Sequence, residues 1–329
     1  MKKLSYCLLV VCLFVFCHAA SAQKWLPEGH AFYQEGKSQI EKVSLPDMAK
    51  SILVTAAQLT PAGAAEPLPV RDFFFSDNGQ QLLIYTNSKR VWRYDTRGDY
   101  WILDLQTNKL RQLGTAQPAS SLMFAKIAPN GQQVAYVSEH NLFVEDIASG
   151  RVQQLTQTNG KRKLIHGTFD WVYEEEFDCR DGFRWSLDSK RIAYWQIDAE
   201  QVRDFLMINT TDSIYPFNIP VEYPKVGEPP SPYRIGVADV ASGKTTWMNI
   251  PGDPRNTYLP RMEWAANSKE LLVQQLNRKQ NESQLMLCDV RSGETRTIYT
   301  ETDDAWIDLK ADGLHGYWDW LRDGGDFLW

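Results

Sequence analysis

The sequence predicts an all-β chain folded as a β-propeller, and three observations lead there. A strand, an Asp, a branched residue, a two-residue turn and a second strand recur four times. An aromatic or apolar residue, a polar turn and a strand of alternating character precede each copy. Together the two patterns supply about four strands per unit, the content of one propeller blade. An antiparallel sandwich with similar hairpins is the other fold these patterns allow, and repetition of the whole unit favours the propeller. The composition suits a folded protein: 329 residues, 43% hydrophobic, 12% aromatic and 23% charged. Lys and Arg total 35 against 41 Asp and Glu, a net charge of −6, and no run of like charges exceeds three residues. This argues against a nucleic-acid partner, since phosphate binding needs a concentrated basic footprint.

Taken in order, residues 1–22 read as an export signal. Lys2 and Lys3 form a positive start, Leu8 to Phe16 an apolar core too short to cross a bilayer comfortably, and Ala20-Ser21-Ala22 a small-x-small cleavage site before Gln23. An anchored N-terminal helix is the alternative. Cys17 does not suggest a lipoprotein, because bulky Phe16 precedes it. Cleavage removes two lysines and no acid, leaving a charge of −8, and removes Cys7, Cys12 and Cys17. Cys179 and Cys288 remain, either as one disulfide or as two buried thiols, with the thiols favoured. No second apolar run approaches membrane length, so the exported chain, periplasmic or secreted, is expected to be free of the membrane.

Residues 23 to about 66 look like a first, atypical blade that ends in the Pro- and Ala-rich LTPAGAAEPLP. The repeated pattern follows as YWILDLQTNKLRQL from Tyr100, NLFVEDIASGRVQQL from Asn141, YRIGVADVASGKTTWM from Tyr233 and QLMLCDVRSGETRTIY from Gln284. The turn pairs Ser149-Gly150, Ser242-Gly243 and Ser292-Gly293, with Thr107-Asn108 in the first copy, suit hairpins because Gly and Asn accept positive φ. The preceding pattern appears as FFFSDNGQQLLIY, AKIAPNGQQVAYV, FRWSLDSKRIAYW and MEWAANSKELLVQQL. The central residues Asp104, Asp146, Asp239 and Asp289 are spaced by 42, 93 and 50 positions, so an insertion lies between Asp146 and Asp239. Insertions in repeat folds tend to carry function, because the blades are occupied with packing. GEPPSP, residues 227–232, reads as an extended loop. From Ala305 a fifth repeated unit begins, turns at Arg322 to Gly325 and reaches FLW at Trp329; a blade stopping in mid-strand would leave an open edge, which predicts an incomplete chain. The expected product is about four blades and the start of a fifth.

The insertion contains FDWVYEEEFDCRDGFRW, residues 169–185. Asp170 can cap a short helix, placing Glu174, Glu175 and Glu176 near an N-terminal turn where the helix dipole favours anions. Neighbours on a helix differ by ~100° in direction, so Glu175 and Glu176 can face one cleft; on a strand they would point apart. Two carboxylates aimed at one point attract an ammonium by about 4 kcal/mol each at 4 Å and an effective dielectric near 20. They could hold a peptide's α-amino group. A solvated acidic helix start is the other reading that the residues leave open.

DWVYEEE, residues 170–176, resembles the signature of the dipeptidyl peptidase IV family within the prolyl oligopeptidase superfamily. TNSKRVWRYDTRGDYWILDL (86–105), RIAYWQID (191–198) and TDSIYPFNIPVEYPKVG (211–227) agree with it, and the resemblance covers residues 23–329 in order. It implies an eight-bladed propeller topped by an α/β-hydrolase domain, the whole releasing N-terminal dipeptides with Pro or Ala second and often dimeric when full length. It implies that Glu175 and Glu176 bind the substrate's free α-ammonium with Glu174 as a supporting neighbour. It also implies that Arg93, after Trp92, reaches a substrate carbonyl, a task suited to a permanent charge and a rigid fork of donors. Asp178, Arg180 and Asp181 depart from the small or aromatic residues common in relatives.

A serine nucleophile in a hydrolase domain needs a Gly-x-Ser-x-Gly elbow. None occurs in these 329 residues; the nearest look-alike, Gly36-Lys37-Ser38, has Ile40 where Gly is required. His18 leaves with the signal, and His30, His140, His166 and His315 show neither triad nor metal spacing. His166 lies near the acidic segment, where it could tune the site or be a loop histidine without a role. The expectation is a recognition propeller without catalytic residues, metal or cofactor in this stretch, working with a hydrolase domain absent from it. A non-catalytic peptide- or protein-binding propeller and an unrelated scaffold propeller are the alternatives.

Overall fold

A computed structural model describes residues 23–26, 28–36, 38–309, 318–321 and 324–328. The expected signal at residues 1–22, along with His315, Arg322, Asp323 and Trp329, lies outside the described residues. The described chain is almost entirely β. Five antiparallel sheets follow one another along it, and a two-stranded hairpin, Asp319–Trp320 with Phe327–Leu328, follows the fifth. The atypical first unit forms blade I, with strands Lys24–Trp25, Ala31–Gly36, Gln39–Ser44 and Ala49–Val54. The four repeated units form blades II to V. Blade II holds Val70–Phe75, Gln81–Val91, Tyr94–Asp104 and Lys109–Gln112. Blade III holds Met123–Ile127, Gln133–Ser138, Asn141–Asp146 and Val152–Gln154. Blade V holds Thr257–Trp264, Glu270–Asn277, Glu282–Asp289 and Thr295–Thr302.

Each repeated turn is closed as the sequence predicts. Asp146, Asp239 and Asp289 accept hydrogen bonds through Oδ1 from the backbone N–H of Ser149, Ser242 and Ser292, each 2.8 Å long. The second strand of blades II to V departs from the alternating pattern. Gln133–Ser138, Arg191–Asp198 and Glu270–Asn277 are buried on both faces away from their ends, because each of these blades is covered on either side. Alternate residues then belong to different cores. Leu82 and Ile84 pack towards blade I, whereas Leu83 and Tyr85 pack with Val134 and Tyr136 of blade III. Ala135 and Val137 face Ile192 and Tyr194 of blade IV, while Ala193 and Trp195 face Leu271 and Val273 of blade V. An ion pair adds to the junction of blades II and III: Arg111 pairs with buried Glu145, which also accepts from Gly114 N at 2.8 Å and Tyr136 OH at 3.3 Å.

Blade IV carries both parts of the insertion. Its strand Arg191–Asp198 pairs on one side with Tyr233–Asp239, which pairs in turn with Thr245–Trp247. On the other side it meets two short strands, Leu164–His166 and Phe183–Trp185, so the inner strand of this blade is broken in two. The chain leaves between them at Gly167 and returns at Gly182. The neck is closed by Gly182 N donating to Gly167 O at 3.0 Å, Gly167 N to Trp195 O at 2.9 Å and Trp195 N to Gly182 O at 3.1 Å. A Cβ on Gly182 would lie 2.7 Å from Gly167 C and 2.8 Å from Thr168 N, backbone atoms that cannot swing aside. The second excursion is a hairpin, Asp204–Asn209 with Phe217–Glu222, whose Leu206, Ile208, Ile214 and Tyr215 are exposed. GEPPSP is irregular, as expected.

Cys179 and Cys288 are buried free thiols, the favoured alternative. Burial pushes both up to about 11. No helix among the described residues is long and apolar enough to cross a membrane. The neck makes a test of this architecture. Gly182→Ala should destabilise the chain by about 1–3 kcal/mol, the usual cost of overpacking, whereas Val226→Ala, at a fully exposed loop side chain, should cost only a fraction of that. Urea unfolding of the two variants measures this, and an unchanged midpoint for Gly182→Ala would contradict the neck geometry.

Candidate functional site

The excursion between Gly167 and Gly182 contains the one helix of the described residues, α1 (Trp171–Glu176). Six residues are too few to hold a helix in water, so tertiary contacts must do it. Asp170 caps it as expected, its Oδ1 accepting from Tyr173 N at 3.2 Å and its Oδ2 from Ser231 Oγ at 2.6 Å. Burial pushes the Asp170 carboxyl up, opposed by these bonds. Phe169, Tyr173 and Phe177 recur every fourth position and form the buried stripe. Tyr173 stacks on Phe169 at 5.5 Å, Phe169 packs on Trp195 at 5.1 Å, and Leu259 N donates to Tyr173 OH at 3.1 Å. The helix is thereby fastened to blades IV and V. Its remaining face carries the glutamates.

The three glutamates differ in setting. Glu175 is partly buried and receives Arg93 Nη1 on Oε2 at 2.8 Å, a contact spanning 82 positions of sequence. Glu176 is exposed and makes no ion pair among the described residues. Its charge adds to the rise that burial gives the Tyr258 phenol. Glu174 is partly buried, and Arg180 Nη2 donates to its carbonyl at 3.3 Å.

Arg93 comes from blade II. Strands Gln81–Val91 and Tyr94–Asp104 run beyond the sheet as an arm, and Trp92-Arg93 is its two-residue tip, with Trp92 at φ 56°. The arm is held by Tyr85 OH, whose one proton is shared between Asp95 O at 3.0 Å and Arg97 O at 2.8 Å, and by the Arg71–Asp95 ion pair at 3.1 Å. At its tip a second contact joins the first: the Arg180 guanidinium lies 3.8 Å from the centroid of the Tyr94 ring. The structure thus brings Arg93 and Glu175 together, with Glu174 and Glu176 as neighbours on one turn. Sequence reasoning noted Arg180 only as a departure and passed over Tyr94, because a cation over an aromatic ring leaves no spacing signal.

His166 does not belong to this site. It is buried in the strand Leu164–His166, with Nδ1 bonded to His140 O at 3.0 Å. Its Nε2 meets Gln196 Nε2 at 2.7 Å, and Gln196 Oε1 accepts from Arg234 Nε at 2.6 Å. The arginine fixes the glutamine's orientation, so the amide donates to Nε2 and the ring proton sits on Nδ1. Burial pushes His166 down, consistent with this neutral form. Among the described residues, no group of three or more His, Cys, Asp or Glu is placed to hold a metal ion.

Burial pushes the Glu174 carboxyl up to about 7, opposed by Arg180 and reinforced by Asp170 and Glu175. A carboxyl whose pKa rises on folding binds its proton more tightly in the native state. Its stabilising contribution is full below the ordinary value of 4.5 and is lost as pH rises through about 7. Glu174→Gln removes that dependence. The stability of the variant relative to wild type should therefore increase between pH 4.5 and 7, as read by urea unfolding at each pH. A difference that stays flat across this window would show that Glu174 is solvated.

The family described as dipeptidyl peptidase IV (DPP IV) N-terminal region matches residues 76–329. "Probable dipeptidyl-aminopeptidase B" of Pyrenophora teres f. teres is 26% identical over 294 residues, 84% of this chain and 31% of that protein. "Inactive dipeptidyl peptidase 10" of Mus musculus is 25% identical over 289 residues, 86% of this chain and 35% of that protein. The chain spans about a third of the length of these curated relatives. The crystal structure of Porphyromonas gingivalis dipeptidyl peptidase 4 matches its fold with a TM-score of 0.80 at 24% identity, over 88% of this chain and 41% of that one. With stacked four-stranded blades, a family match over most of its length and the Asp170–Glu176 motif on an excursion from blade IV, the chain belongs to the dipeptidyl peptidase IV N-terminal region family.

Proposed function

We propose that this chain is the substrate-recognition propeller of a dipeptidyl peptidase IV-like serine exopeptidase, and that it captures the free N-terminus of a peptide. The observation that carries the reading is the meeting of Arg93 with Glu175 on a helix that also presents Glu176. On this reading Glu175 and Glu176 accept hydrogen bonds from the α-ammonium, and Glu174 supports them from the half-buried side. Arg93, held at the edge of the pair, offers its remaining donors to a backbone carbonyl of the same peptide. Fixing the amino end in this way measures a set distance along the substrate. The bond cleaved would be the second, releasing dipeptides with Pro or Ala in the second position. A serine hydrolase domain is the proposed source of the nucleophile. Export and a homodimer of the full-length protein are part of the same proposal.

A second reading has a specific support. One relative, similar over 86% of this chain, is named an inactive dipeptidyl peptidase. This propeller can therefore be considered apart from catalysis, as a non-catalytic binder of peptides or proteins.

Calorimetric titration with the dipeptide amide Ala-Pro-NH2 and its N-acetyl analogue tests the reading. The free amine should bind and the acetylated form should not. Glu175→Gln and Glu176→Gln should each weaken the free amine by about 1.5–3 kcal/mol, the range for a hydrogen bond to a charged group. Equal affinity for the two dipeptides would sink the assignment.

A further inference from the structure

We infer that Arg180 is a positioning residue that holds the tip of the blade II arm, and with it Arg93, against Glu175. As a statement about peptide binding this rests on the function proposed above; as a statement about the arm it does not. The arm is fastened within blade II as far as Asp95, whose carbonyl accepts from Tyr85 OH at 3.0 Å and whose carboxylate pairs with Arg71 at 3.1 Å, but around the tip Lys89, Arg90, Trp92, Arg93 and Tyr94 are all exposed. Two contacts, among the described residues, reach from the tip to the glutamate segment. One is Arg93 with Glu175, in which the Arg93 side chain is 71% exposed. A pair so open to solvent is weak and cannot fix the tip by itself. The other is the Arg180 guanidinium over Tyr94.

Arg180 is built to be the rigid partner. Its side chain is 16% exposed and forms an ion pair with Asp178. Nη2 donates to Glu174 O at 3.3 Å, so the same guanidinium is tied to the last turn of α1. Asp178 takes a left-handed backbone conformation, φ 54°, which turns the chain back under the helix just after Phe177. Asp accepts that conformation more readily than most residues. A planar cation held by both Asp178 and Glu174 offers a fixed face for a ring, whereas a free arginine would lose side-chain freedom on stacking. Tyr94 directly follows Arg93, so immobilising the ring places the arginine beside Glu175. Asp178 and Arg180 thus act through Tyr94 and Arg93; neither needs to touch a ligand.

Trypsin reads the arm directly, since its tip carries Lys89, Arg90 and Arg93. Under native conditions Arg180→Ala should speed cleavage at these three sites about fivefold, with cleavage elsewhere unchanged. Tyr94→Leu should do the same from the other side of the contact, which guards against damage to the 177–182 loop by the first variant. Arg180→Lys, which keeps a cation over the ring, should recover part of the protection. Binding of Ala-Pro-NH2 should weaken about fivefold in Arg180→Ala and Tyr94→Leu and recover in Arg180→Lys. Unchanged tip cleavage in both Arg180→Ala and Tyr94→Leu overturns the inference. Faster cleavage with undiminished affinity overturns the positioning role and leaves the proposed function intact. If the wild type binds the free and acetylated dipeptides alike while the tip still loosens, the proposed function fails and the arm's fastening stands.

Discussion

Most of this chain depends on the burial of the second strand of blades II to V on both faces. A strand with two buried faces has no free side on which to place a functional group. Leu82 and Ile84 belong to one core and Leu83 and Tyr85 to the next, and the same division runs through Ala135, Tyr136, Ala193 and Tyr194. Each such strand glues two blades. A polar substitution there would place an unpaired group between two sheets, a costly outcome. Chemistry is consequently pushed to the ends of strands and to excursions from them.

Blade IV shows how such an excursion is made without weakening the stack. Its inner strand is interrupted, yet both halves pair with Arg191–Asp198, so the ladder is resumed on the far side of the neck. The cost of the gap falls on Trp195, whose N–H and C=O are taken up by Gly182 and Gly167. Its indole N–H donates to Leu259 O at 2.9 Å and its ring supports Phe169. One buried tryptophan therefore connects the neck, the helix and blade V. These contacts seat the acidic helix, which is too short to be stable alone. Rigid seating suits a recognition site, because groups already in place lose little freedom when a ligand arrives.

The sequence made the fold legible where its signals are local. Hairpin turns such as Asp146-to-Gly150 are written in four or five adjacent residues, and the structure forms them as read. The cap at Asp170 and the placement of three glutamates on one short helix were equally local. The two-sided burial is written in the continuous apolar runs VAYV and IAYW, but periodicity alone does not say which partners alternate residues meet. The broken inner strand was hidden, since FRW at 183 reads as the opening of a unit rather than the resumption of one. Arg93 came to attention through the resemblance of its neighbours, not through any spacing to Glu175. Arg180 and Tyr94 meet only because two excursions from different blades converge, and no local pattern encodes that.

The charges around α1 nearly cancel, and the remainder bears on what the proposed site would accept. Glu175 is offset by Arg93 and Asp178 by Arg180. Glu174, raised to about 7 by burial, carries on average half a charge near neutrality. Glu176 has no ion-pair partner among the described residues. The local excess is thus between one and two negative charges, which a single ammonium would largely neutralise. The Arg93–Glu175 pair is exposed enough that it orients both groups while contributing at most about 1 kcal/mol. An arriving ammonium can therefore share Glu175 without first breaking a strong bond, and Arg93 keeps donors for a neighbouring carbonyl. A second positive charge close to the first would find no carboxylate left unpaired. On the proposed reading the arrangement would favour a lone terminal amine over a cluster of cations, through the two arginines as much as through the three glutamates.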